Sequence, residues 1–341
     1  MSRNGSGKEI YFDSRWLGAH GIGRYASEVL KRLGSTTQLM AALSPTHPLD
    51  VMYLTFKVVT RHGSVWYSPG YNAPLFRLRR YVFTIHDLNH IDIAANSSAL
   101  KRLYYQIVLR RACRRAARVL TVSEFSRRRI IEWSGVDPAR VVNVGNGVSA
   151  DFSVSVAPYR PGYPYLLSIG NRKGHKNELR LLKAFATAKI DASIKLLFSG
   201  PSSGELLELA SEAGVSDRIV FLGRIEERAL PSIYRGAIAL AFPSLYEGFG
   251  LPVLEAMASG IPVITSNTTA LPEVAGDAAI LVDPENVAAI ADAIGQIVHD
   301  ETLRTNLTVK GLERVRAFSW DSVAYKVKAV LDEVLEEKAG C

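Results

Sequence analysis

Residues 165–198 read YLLSIGNRKGHKNELRLLKAFATAKIDASIKLLF and contain one complete strand–helix–strand unit. The apolar run Tyr165 to Ile169 predicts a strand, Asn177 to Lys189 predicts a helix, and Ile194 to Phe198 predicts a second strand. Two strands joined through a helix are typical of a parallel sheet. This stretch therefore predicts an α/β fold.

The same alternation of short apolar runs and helical patterns continues through both halves of the chain. In the first half the predicted strands are Glu9 to Asp13, Ser64 to Tyr67, Tyr81 to His86, Val119 to Val122 and Val141 to Val144. The helices expected between them are Ile22 to Leu33, Ala99 to Ala116 and Glu124 to Trp133. In the second half, after the unit above, the pattern predicts a helix at Gly204 to Glu212 and strands at Ile219 to Phe221, Ile238 to Ala241, Val263 to Thr265 and Ala279 to Val282.

The length of 341 residues, at about 150 residues per domain, predicts two domains. Residues 158–164, PYRPGYP, contain three prolines and one glycine, so they can form neither a helix nor a central strand. We place the linker there, between a domain of residues 1–157 and a domain of residues 165–320. Each is expected to be a Rossmann-like, doubly wound domain, and the apolar face of the last helix, 321–337, is expected to pack back on the first domain.

The composition excludes several classes of protein. With 48% hydrophobic and 22% charged residues, the chain is an ordinary globular sequence and not a disordered one. It lacks an apolar run of the roughly 18 to 20 residues that cross a bilayer, and its first thirty residues lack a signal-peptide pattern. Two cysteines give neither a disulfide framework nor a thiolate metal site. The sequence therefore predicts a cytoplasmic protein.

Charge is distributed unequally between the halves. Residues 1–150 contain 22 Lys and Arg against 9 Asp and Glu, whereas the remaining residues contain 19 against 24. A strongly basic half indicates contact with an anionic partner, which on composition alone is nucleic acid, anionic lipid or a phosphorylated substrate.

The loop after the first strand of the second half is basic. In doubly wound sheets ligands bind beyond the carboxyl ends of the strands, so a cleft between two such domains is where chemistry is expected. Residues 170–177, GNRKGHKN, place Arg172, Lys173 and Lys176 at a helix N-terminus, where the helix dipole disfavours cations. A bound diphosphate would reverse that sign. The alternative is a solvated loop that happens to be basic.

A second loop combines glycines with two acids. Residues 242–257 read FPSLYEGFGLPVLEAM, and Gly248 and Gly250 permit the backbone amides of Gly248, Phe249, Gly250 and Leu251 to point at one ligand. Glu247 and Glu255 are eight residues apart, so both can face the same cleft and accept hydrogen bonds from vicinal sugar hydroxyls. The alternative makes Glu255 a partner of the helix dipole and Glu247 a surface acid.

Two further loops lie in the first half. His86 follows a predicted strand, where it can bind a hydroxyl or exchange a proton, although a lone histidine is more often structural. Residues 18–25, GAHGIGRY, present amides at a helix start, with Gly21 and Gly23 as the permissive positions. The pattern is similar to a dinucleotide fingerprint, but it lacks the third glycine and the later acid, which disfavours an NAD-dependent oxidoreductase.

Together these loops resemble the retaining family-4 glycosyltransferases, nucleotide-sugar enzymes with the two-Rossmann-domain GT-B fold. The most specific match is Glu247 to Glu255, the E-x7-E motif of that family, and the resemblance extends over nearly the whole chain. Supporting matches are HGIGRY (20–25), HDL (86–88), TVSEFS (121–126), NGV (146–148), FLGRI (221–225) and ALPEVAGDAAILVDP (270–284).

The resemblance implies roles for these residues. Glu255 would bind the donor ribose, and Glu247 with the amides of Gly248–Leu251 would hold the donor sugar. Lys176 would neutralise the diphosphate. Many members have Gly-Arg where this chain has Gly170-Asn171, and we interpret Arg172 as the substitute.

In the first half, the resemblance implies that His86 contacts the sugar near the reacting centre and that Gly21 to Gly23 close over the phosphates. The expected catalytic residues are thus His86, Glu247 and Lys176. The family retains the anomeric configuration, with the departing phosphate taking the acceptor proton. The sequence contains no D-x-D motif, so we expect no metal and no cofactor, the positive charge coming from Arg172, Lys176 and helix N-termini.

The motif GNxxxHKN at residues 170–177 resembles that of mannosyltransferases of bacterial surface-polysaccharide and lipopolysaccharide assembly. This resemblance indicates GDP-mannose as the donor. The first domain would bind the acceptor, a saccharide or a lipid-diphosphate-linked saccharide. The helix Ala99 to Ala116 aligns Arg110, Arg114 and Arg118, with Arg77, Arg79 and Arg80 near in sequence, so this half is suited to the anionic inner face of a membrane as a peripheral protein. The alternative is a solvated basic face.

Three rival functions stay open on the sequence. A UDP-sugar-dependent transferase or an epimerase of the same fold would share the motifs. A nucleic-acid-binding protein would use the basic half, but it leaves Glu247 and Glu255 unexplained, so we expect no nucleic acid as partner. An oxidoreductase would require a nicotinamide cofactor.

Overall fold

The computed structural model describes residues 9–18, 20–40, 43–61, 63–93 and 98–337. The chain forms two compact units. The first falls within residues 1–146 and 320–341, and the second comprises residues 147–319. Each unit is built around one parallel sheet.

The first sheet has the strand order β2-β1-β3-β4-β5-β6, and every neighbouring pair is parallel. Its chain order reverses between β1 and β3, which makes that gap the topological switch point of the sheet. Within the described residues the strands are β1 (Ile10–Asp13), β2 (Thr37–Leu39), β3 (Val65–Ser68), β4 (Tyr81–Thr84), β5 (Arg118–Thr121) and β6 (Val141–Asn143).

Helices connect these strands, and local residues fix their ends. The hydroxyl of Ser123 accepts from the Ser126 amide at one helix start, and Gly135, with a φ of 68°, ends the same helix. The helices are α1 (Gly21–Arg32), α2 (Asp50–Thr60), α3 (Asn89–Asp92), α4 (Ala99–Tyr104), α5 (Arg110–Arg115) and α6 (Glu124–Ser134). A π-helical segment, Tyr105–Leu109, joins α4 to α5.

One apolar core lies between this sheet and helices α2, α5 and α6. It contains large buried rings from the strands, such as Trp66, Tyr81 and Phe83, together with Leu54 from α2 and Ile130 from α6. All four residues of β3 and of β4 are buried, as expected of central strands in a sheet covered by helices. The core therefore fixes the carboxyl ends of these strands, where His86 follows β4.

The second sheet has the order β12-β11-β10-β7-β8-β9 and is also parallel throughout. Chain order reverses between β7 and β10, so the switch point lies between these two strands. The described strands are β7 (Tyr165–Ser168), β8 (Lys195–Phe198), β9 (Ile219–Phe221), β10 (Ala239–Phe242), β11 (Val263–Ser266) and β12 (Ile280–Val282).

Seven helices surround the second sheet in the part of the chain that the structure describes. Leu181 and Phe185 of one of them and Ile290 and Ile294 of another are fully buried in a single core with the strands. The helices are α7 (Glu178–Thr187), α8 (Gly204–Glu212), α9 (Leu230–Gly236), α10 (Leu251–Ala258), α11 (Leu271–Ala275), α12 (Val287–His299) and α13 (Glu301–Val315).

The last helix, α14 (Trp320–Glu336), belongs to the first unit. The Trp320 ring lies 6.2 Å from the Tyr25 ring of α1, and Arg32 Nε donates to Asp321 at 2.6 Å. Residues 158–164, where the sequence suggested a linker, lie within the second unit, and the Tyr159 amide donates to the Ser232 carbonyl at 2.9 Å. The division between the two units therefore falls at residue 146 and not at residues 158–164.

Strand β2, helix α2 and the four-residue helix α3 of the first unit were not predicted from the sequence. Strand β2 has three residues, two of them exposed, so it carries no apolar run that a pattern could detect. Helix α2 has the sequence DVMYLTFKVVT, whose β-branched residues also fit a strand. No described helix has the length and apolar content needed to traverse a bilayer.

Candidate functional site

The loops after β7 and β10 meet at the switch point of the second sheet. The Leu245 amide donates to the His175 carbonyl at 2.7 Å, and the Asn177 side-chain amide donates to the Pro243 carbonyl at 2.9 Å. Because β7 and β10 are neighbours and parallel, their carboxyl ends lie at the same edge. The two loops singled out in the sequence therefore form one continuous surface.

Lys176 and Glu247 form an ion pair across these loops. Lys176 Nζ lies 2.6 Å from Glu247 Oε1, and the two side chains are 15% and 13% exposed. The ammonium also lies 5.0 Å from the centre of the Phe242 ring, and the Glu247 amide donates to Thr269 Oγ1 at 3.2 Å. An ammonium has three N–H donors, so Lys176 can hold a further acceptor while it pairs with Glu247.

Arg172 is committed to contacts within the protein. Its guanidinium donates to the Ser199 carbonyl at 2.6 Å and the Pro201 carbonyl at 2.9 Å, and it pairs with Glu178. Burial raises the pKa of Glu178, and the Arg172 charge opposes that rise. Arg172 has a left-handed backbone, with a φ of 61°, and its side chain lies over the rings of two phenylalanines, Phe198 and Phe221. This arrangement favours a structural role, and the diphosphate role of Arg172 stays a prediction.

The glycine loop leads directly into α10. Gly250 has a φ of 110°, a backbone conformation that requires glycine, and a Cβ there would also have to displace Leu271 Cδ2, 2.7 Å away. Phe249 is buried, with its ring 5.9 Å from that of Phe318. Among the described residues no side chain caps α10, which begins at Leu251 with Pro252 in its first turn. No side chain among the described residues therefore competes with a ligand for the amides at the start of α10.

Glu255 lies one turn into α10 and is 5% exposed. Its Oε2 accepts a hydrogen bond from the Tyr234 hydroxyl of α9 at 2.8 Å. Tyr234 is fully buried, and its ring packs edge-on against Phe152 at 5.5 Å. Tyr234 could not be identified from the sequence, because no local pattern connects a tyrosine on one helix with an acid 21 positions away on another.

Gly21 and Gly23 have different surroundings at the start of α1. A Cβ on Gly23 would lie 2.1 Å from the carbonyl oxygen of Gly18, so only glycine fits. A Cβ on Gly21 would meet nothing within 4 Å among the described residues. The Gly23 amide donates to His20 Nδ1 at 3.0 Å, which caps the helix. Gly23 therefore has a packing role, whereas Gly21 leaves open space at the helix start.

His86 follows β4 and is held by a carbonyl. Its Nε2 lies 2.9 Å from the Pro69 oxygen, and the edge-on Tyr25 ring lies 4.9 Å away. A carbonyl only accepts, so Nε2 carries the proton and Nδ1 of the neutral ring is an acceptor. Burial lowers the pKa of His86, and the Pro69 contact and Asp87 oppose that shift. The lowered pKa favours the neutral form of the ring.

A buried polar cluster supports the segment that carries Pro69. The Asn72 side-chain amide donates to both Asp13 and Asp50 at 3.0 Å. Arg15 pairs with the same two acids at 2.7 and 2.5 Å. Burial raises the pKa of Asp50, an effect that Asn72 and Arg15 reduce. This cluster, which the sequence analysis did not identify, fixes the carboxyl edge of β1 and β3 and thereby the carbonyl that orients His86.

Family comparisons cover almost the whole described chain. Residues 21–152 match the model described as Glycosyltransferase Family 4, and residues 154–314 match the one described as Glycosyl transferases group 1. The boundary between the two matches lies close to the division between the two structural units.

Curated relatives agree with these matches. The O-antigen chain mannosyltransferase B of Escherichia coli is 33% identical over 76% of this chain and 71% of its own length. The phosphatidyl-myo-inositol mannosyltransferase of Mycobacterium leprae is 33% identical over 63% of this chain, and the match spans 59% of that protein, less than two thirds.

Solved structures share the fold. The sucrose-phosphate synthase of Thermosynechococcus elongatus superposes with a TM-score of 0.76 at 22% identity, covering 96% of this chain and 99% of that one. WaaG, a glycosyltransferase involved in lipopolysaccharide biosynthesis, gives 0.76 at 14% identity, covering 97% and 100%. The predicted fold class is confirmed: both units are Rossmann-like α/β domains of the GT-B type.

Proposed function

The chain belongs to glycosyltransferase family 4, and from that membership we propose that it transfers mannose from GDP-mannose to a saccharide or lipid-linked saccharide. The reaction would retain the anomeric configuration and serve the synthesis of a cell-surface polysaccharide. The donor sugar in this proposal is supported by the E. coli and M. leprae relatives, whose names describe mannosyltransferases.

One observation carries the proposal: Lys176, Glu247 and the start of α10 converge at the switch point of the second sheet. This is the position at which open α/β sheets bind nucleotides. Lys176 would bind the donor diphosphate, and the amides at the start of α10, where no side chain caps the helix, would hold the donor sugar with Glu247. Charge-assisted hydrogen bonds of this kind contribute about 1.5–3 kcal/mol each.

Glu255 would bind the ribose hydroxyls. Its Oε2 is held by the Tyr234 hydroxyl, so the plane of the carboxylate is set before a ligand arrives. Burial to 5% exposure strengthens hydrogen bonds at this acid relative to the same bonds in water. A preset orientation also reduces the entropy lost on binding.

In the transfer step, negative charge builds on the β-phosphate as the glycosidic bond to it breaks. Lys176 and the helix start would stabilise that charge without rearrangement, so the protein itself supplies the positive charge and no metal is required. The departing phosphate oxygen would take the proton of the acceptor hydroxyl. Glu247 needs no nucleophilic role, which agrees with its pairing to a lysine.

His86 and Gly21 would act from the first unit. Because Nε2 donates to the Pro69 carbonyl, His86 can accept a hydrogen bond from a sugar hydroxyl only at Nδ1. The space at Gly21 would admit a phosphate oxygen to the start of α1. Gly23 would contribute by keeping the loop in place, because it contacts the Gly18 backbone.

Thermal shift against GDP, UDP, GDP-mannose and UDP-glucose tests the donor assignment. We expect the largest rise in melting temperature with the GDP ligands, and Lys176→Met should weaken their binding by about 10- to 150-fold, the equivalent of one charge-assisted bond. Glu255→Gln should also reduce the response. Lys183→Met and Glu208→Gln change the same residue types at exposed positions and serve as controls.

A flat response to every nucleotide would refute the donor site, and a larger response to UDP ligands would replace GDP-mannose by a UDP-sugar. Turnover of the donor with and without acceptor separates a transferase from an epimerase. An epimerase consumes the donor when no acceptor is present, whereas a transferase requires the acceptor.

A further inference from the structure

The first unit contains a pocket that the donor proposal does not use. Its volume is about 1030 Å³, and nine arginines line it, among them Arg61, Arg77, Arg80, Arg111 and Arg115. Glu337 is the only acid in its lining among the described residues. The pocket therefore concentrates positive charge far beyond what its own acids can balance.

This pocket lies at the opposite edge of the sheet from His86. Arg80 immediately precedes β4 and Arg140 immediately precedes β6. Arg118, predicted to align with Arg110 and Arg114 on one helix, is instead the first residue of β5, because α5 ends at Arg115. These three positions are the amino ends of parallel strands, whereas His86 follows the carboxyl end of β4. At about 3.3 Å per residue, the chain from Arg80 to His86 spans roughly 20 Å. The pocket is therefore separate from the site at the carboxyl edge.

Three of the arginines donate to backbone carbonyls, which are neutral groups. Arg111 donates to the Leu75 carbonyl, Arg80 donates to the Gly63 carbonyl at 2.8 Å, and Arg140 donates to the Arg114 carbonyl at 3.4 Å. A carbonyl fixes the position of a guanidinium but leaves its net charge uncompensated. Each guanidinium has five N–H donors, so these bonds also leave donors for another acceptor.

Acids neutralise little of this charge. Arg118 pairs with Glu333 and Glu337 at the end of α14, and both acids are about half exposed. Many arginines at fixed positions around one hollow repel each other, and an anion that enters removes that repulsion. Solvation alone would be sufficient for arginines spread over a convex surface, but here they surround a concave one.

We propose that this arginine pocket binds a phosphoryl group. The planar guanidinium matches the oxygen geometry of phosphate and can bind it with two parallel hydrogen bonds. Phe76, 59% exposed, also lines the pocket, and the adjoining Leu75 amide donates to Thr55 of α2 at 2.8 Å. A phosphate bearing an apolar group, as in a lipid headgroup, and a free phosphorylated molecule share this chemistry.

Binding of two probes to the full-length protein tests the proposal. The first probe is inorganic pyrophosphate, titrated by calorimetry in a Lys176→Met background so that the proposed donor site does not contribute. The second probe is vesicles of phosphatidylglycerol and phosphatidylcholine, compared in sedimentation with vesicles of phosphatidylcholine alone. Vesicle binding alone identifies a lipid headgroup as the source, and pyrophosphate binding identifies a soluble phosphorylated ligand.

The test variant is Arg77→Gln/Arg115→Gln, since both side chains are exposed and reach the pocket. We expect it to weaken binding of the positive probe roughly thirtyfold, from about fivefold for each arginine. Arg128→Gln/Arg160→Gln removes the same charge from exposed positions outside the pocket and should change binding less than threefold, or about 0.6 kcal/mol. Unchanged melting temperatures verify the fold of both variants.

The proposal is overturned if neither probe binds, if both double variants lose binding equally, or if only nucleic acid binds with a steep salt dependence. It does not rest on the donor assignment. The response to GDP is measured on the same proteins, so failure of the donor site and failure of the pocket give different results.

Discussion

The hydrogen bond between Tyr234 and Glu255 should be worth about 1.5–3 kcal/mol, because its acceptor is a carboxylate and both partners are buried. Tyr234→Phe removes the hydroxyl and keeps the ring, which still packs against Phe152. The loss should therefore come from the hydrogen bond and not from a cavity. We expect the free energy of unfolding to fall by about 2 kcal/mol.

A double-mutant cycle isolates this bond from the other contacts of the two residues. The four proteins are the parent, Tyr234→Phe, Glu255→Ala, which removes both carboxylate oxygens, and the double variant, and urea denaturation gives the free energy of unfolding of each. We expect the two single changes to be non-additive by about 1–2 kcal/mol, with the double variant less destabilised than the sum. The Michaelis constant for the donor should rise in Tyr234→Phe while kcat changes less, since orientation of Glu255 acts on binding.

Additivity within about 0.3 kcal/mol would refute an energetic coupling between these groups. A lower kcat with an unchanged Michaelis constant would contradict the assignment of Glu255 to the ribose. Tyr325→Phe, on a tyrosine that is 76% exposed, is the matched control and should leave both measurements unchanged.

Three further changes test the site. Gly23→Ala should lower the melting temperature, measured by calorimetry, because its Cβ would lie 2.1 Å from the Gly18 oxygen; an unaffected protein would contradict the packing role. Burial lowers the pKa of His86, so the unfolded chain binds the proton first and the free energy of unfolding should fall as the pH drops below about 6.5. Urea denaturation between pH 7 and 5 should show a shallower fall in His86→Gln, and an equal dependence of stability on pH in the two proteins would disprove this. Arg172→Ala should lower the free energy of unfolding by about 3–5 kcal/mol, because it leaves Glu178 buried without its ion-pair partner. The protein that remains folded should still bind nucleotide, and loss of nucleotide binding without loss of stability would support the diphosphate role of Arg172.

The sequence predicted most of the second unit because the inner strands of its sheet are buried and mostly apolar. Strands β7, β10 and β11 are each buried at every position, so their patterns are unambiguous. In the first unit β2 and α2 escaped prediction, one because it is a short edge strand and the other because its β-branched residues fit two structures. The parallel order of each sheet followed from the strand–helix alternation.

Whether a site residue could be predicted depended on how far apart in the sequence it and its partners lie. The acids and glycines of residues 247–255 share one loop and helix start, so their spacing carried the information. The partners that orient them do not: Tyr234 reaches Glu255 from another helix, and Arg172 reaches the carbonyls that follow β8. Such contacts depend on how helices and loops pack, which no local pattern records.

If a donor diphosphate binds at the switch point as proposed, it has to compete with Glu247 for Lys176. An incoming anion meets a lysine whose charge is already balanced at 2.6 Å, and it also meets the repulsion of that carboxylate. A monoanion such as chloride gains little from this exchange, whereas a diphosphate can offset the repulsion through several oxygens bound at once. In the proposed site, the Glu247 carboxylate would therefore weaken the binding of a monoanion more than that of a diphosphate.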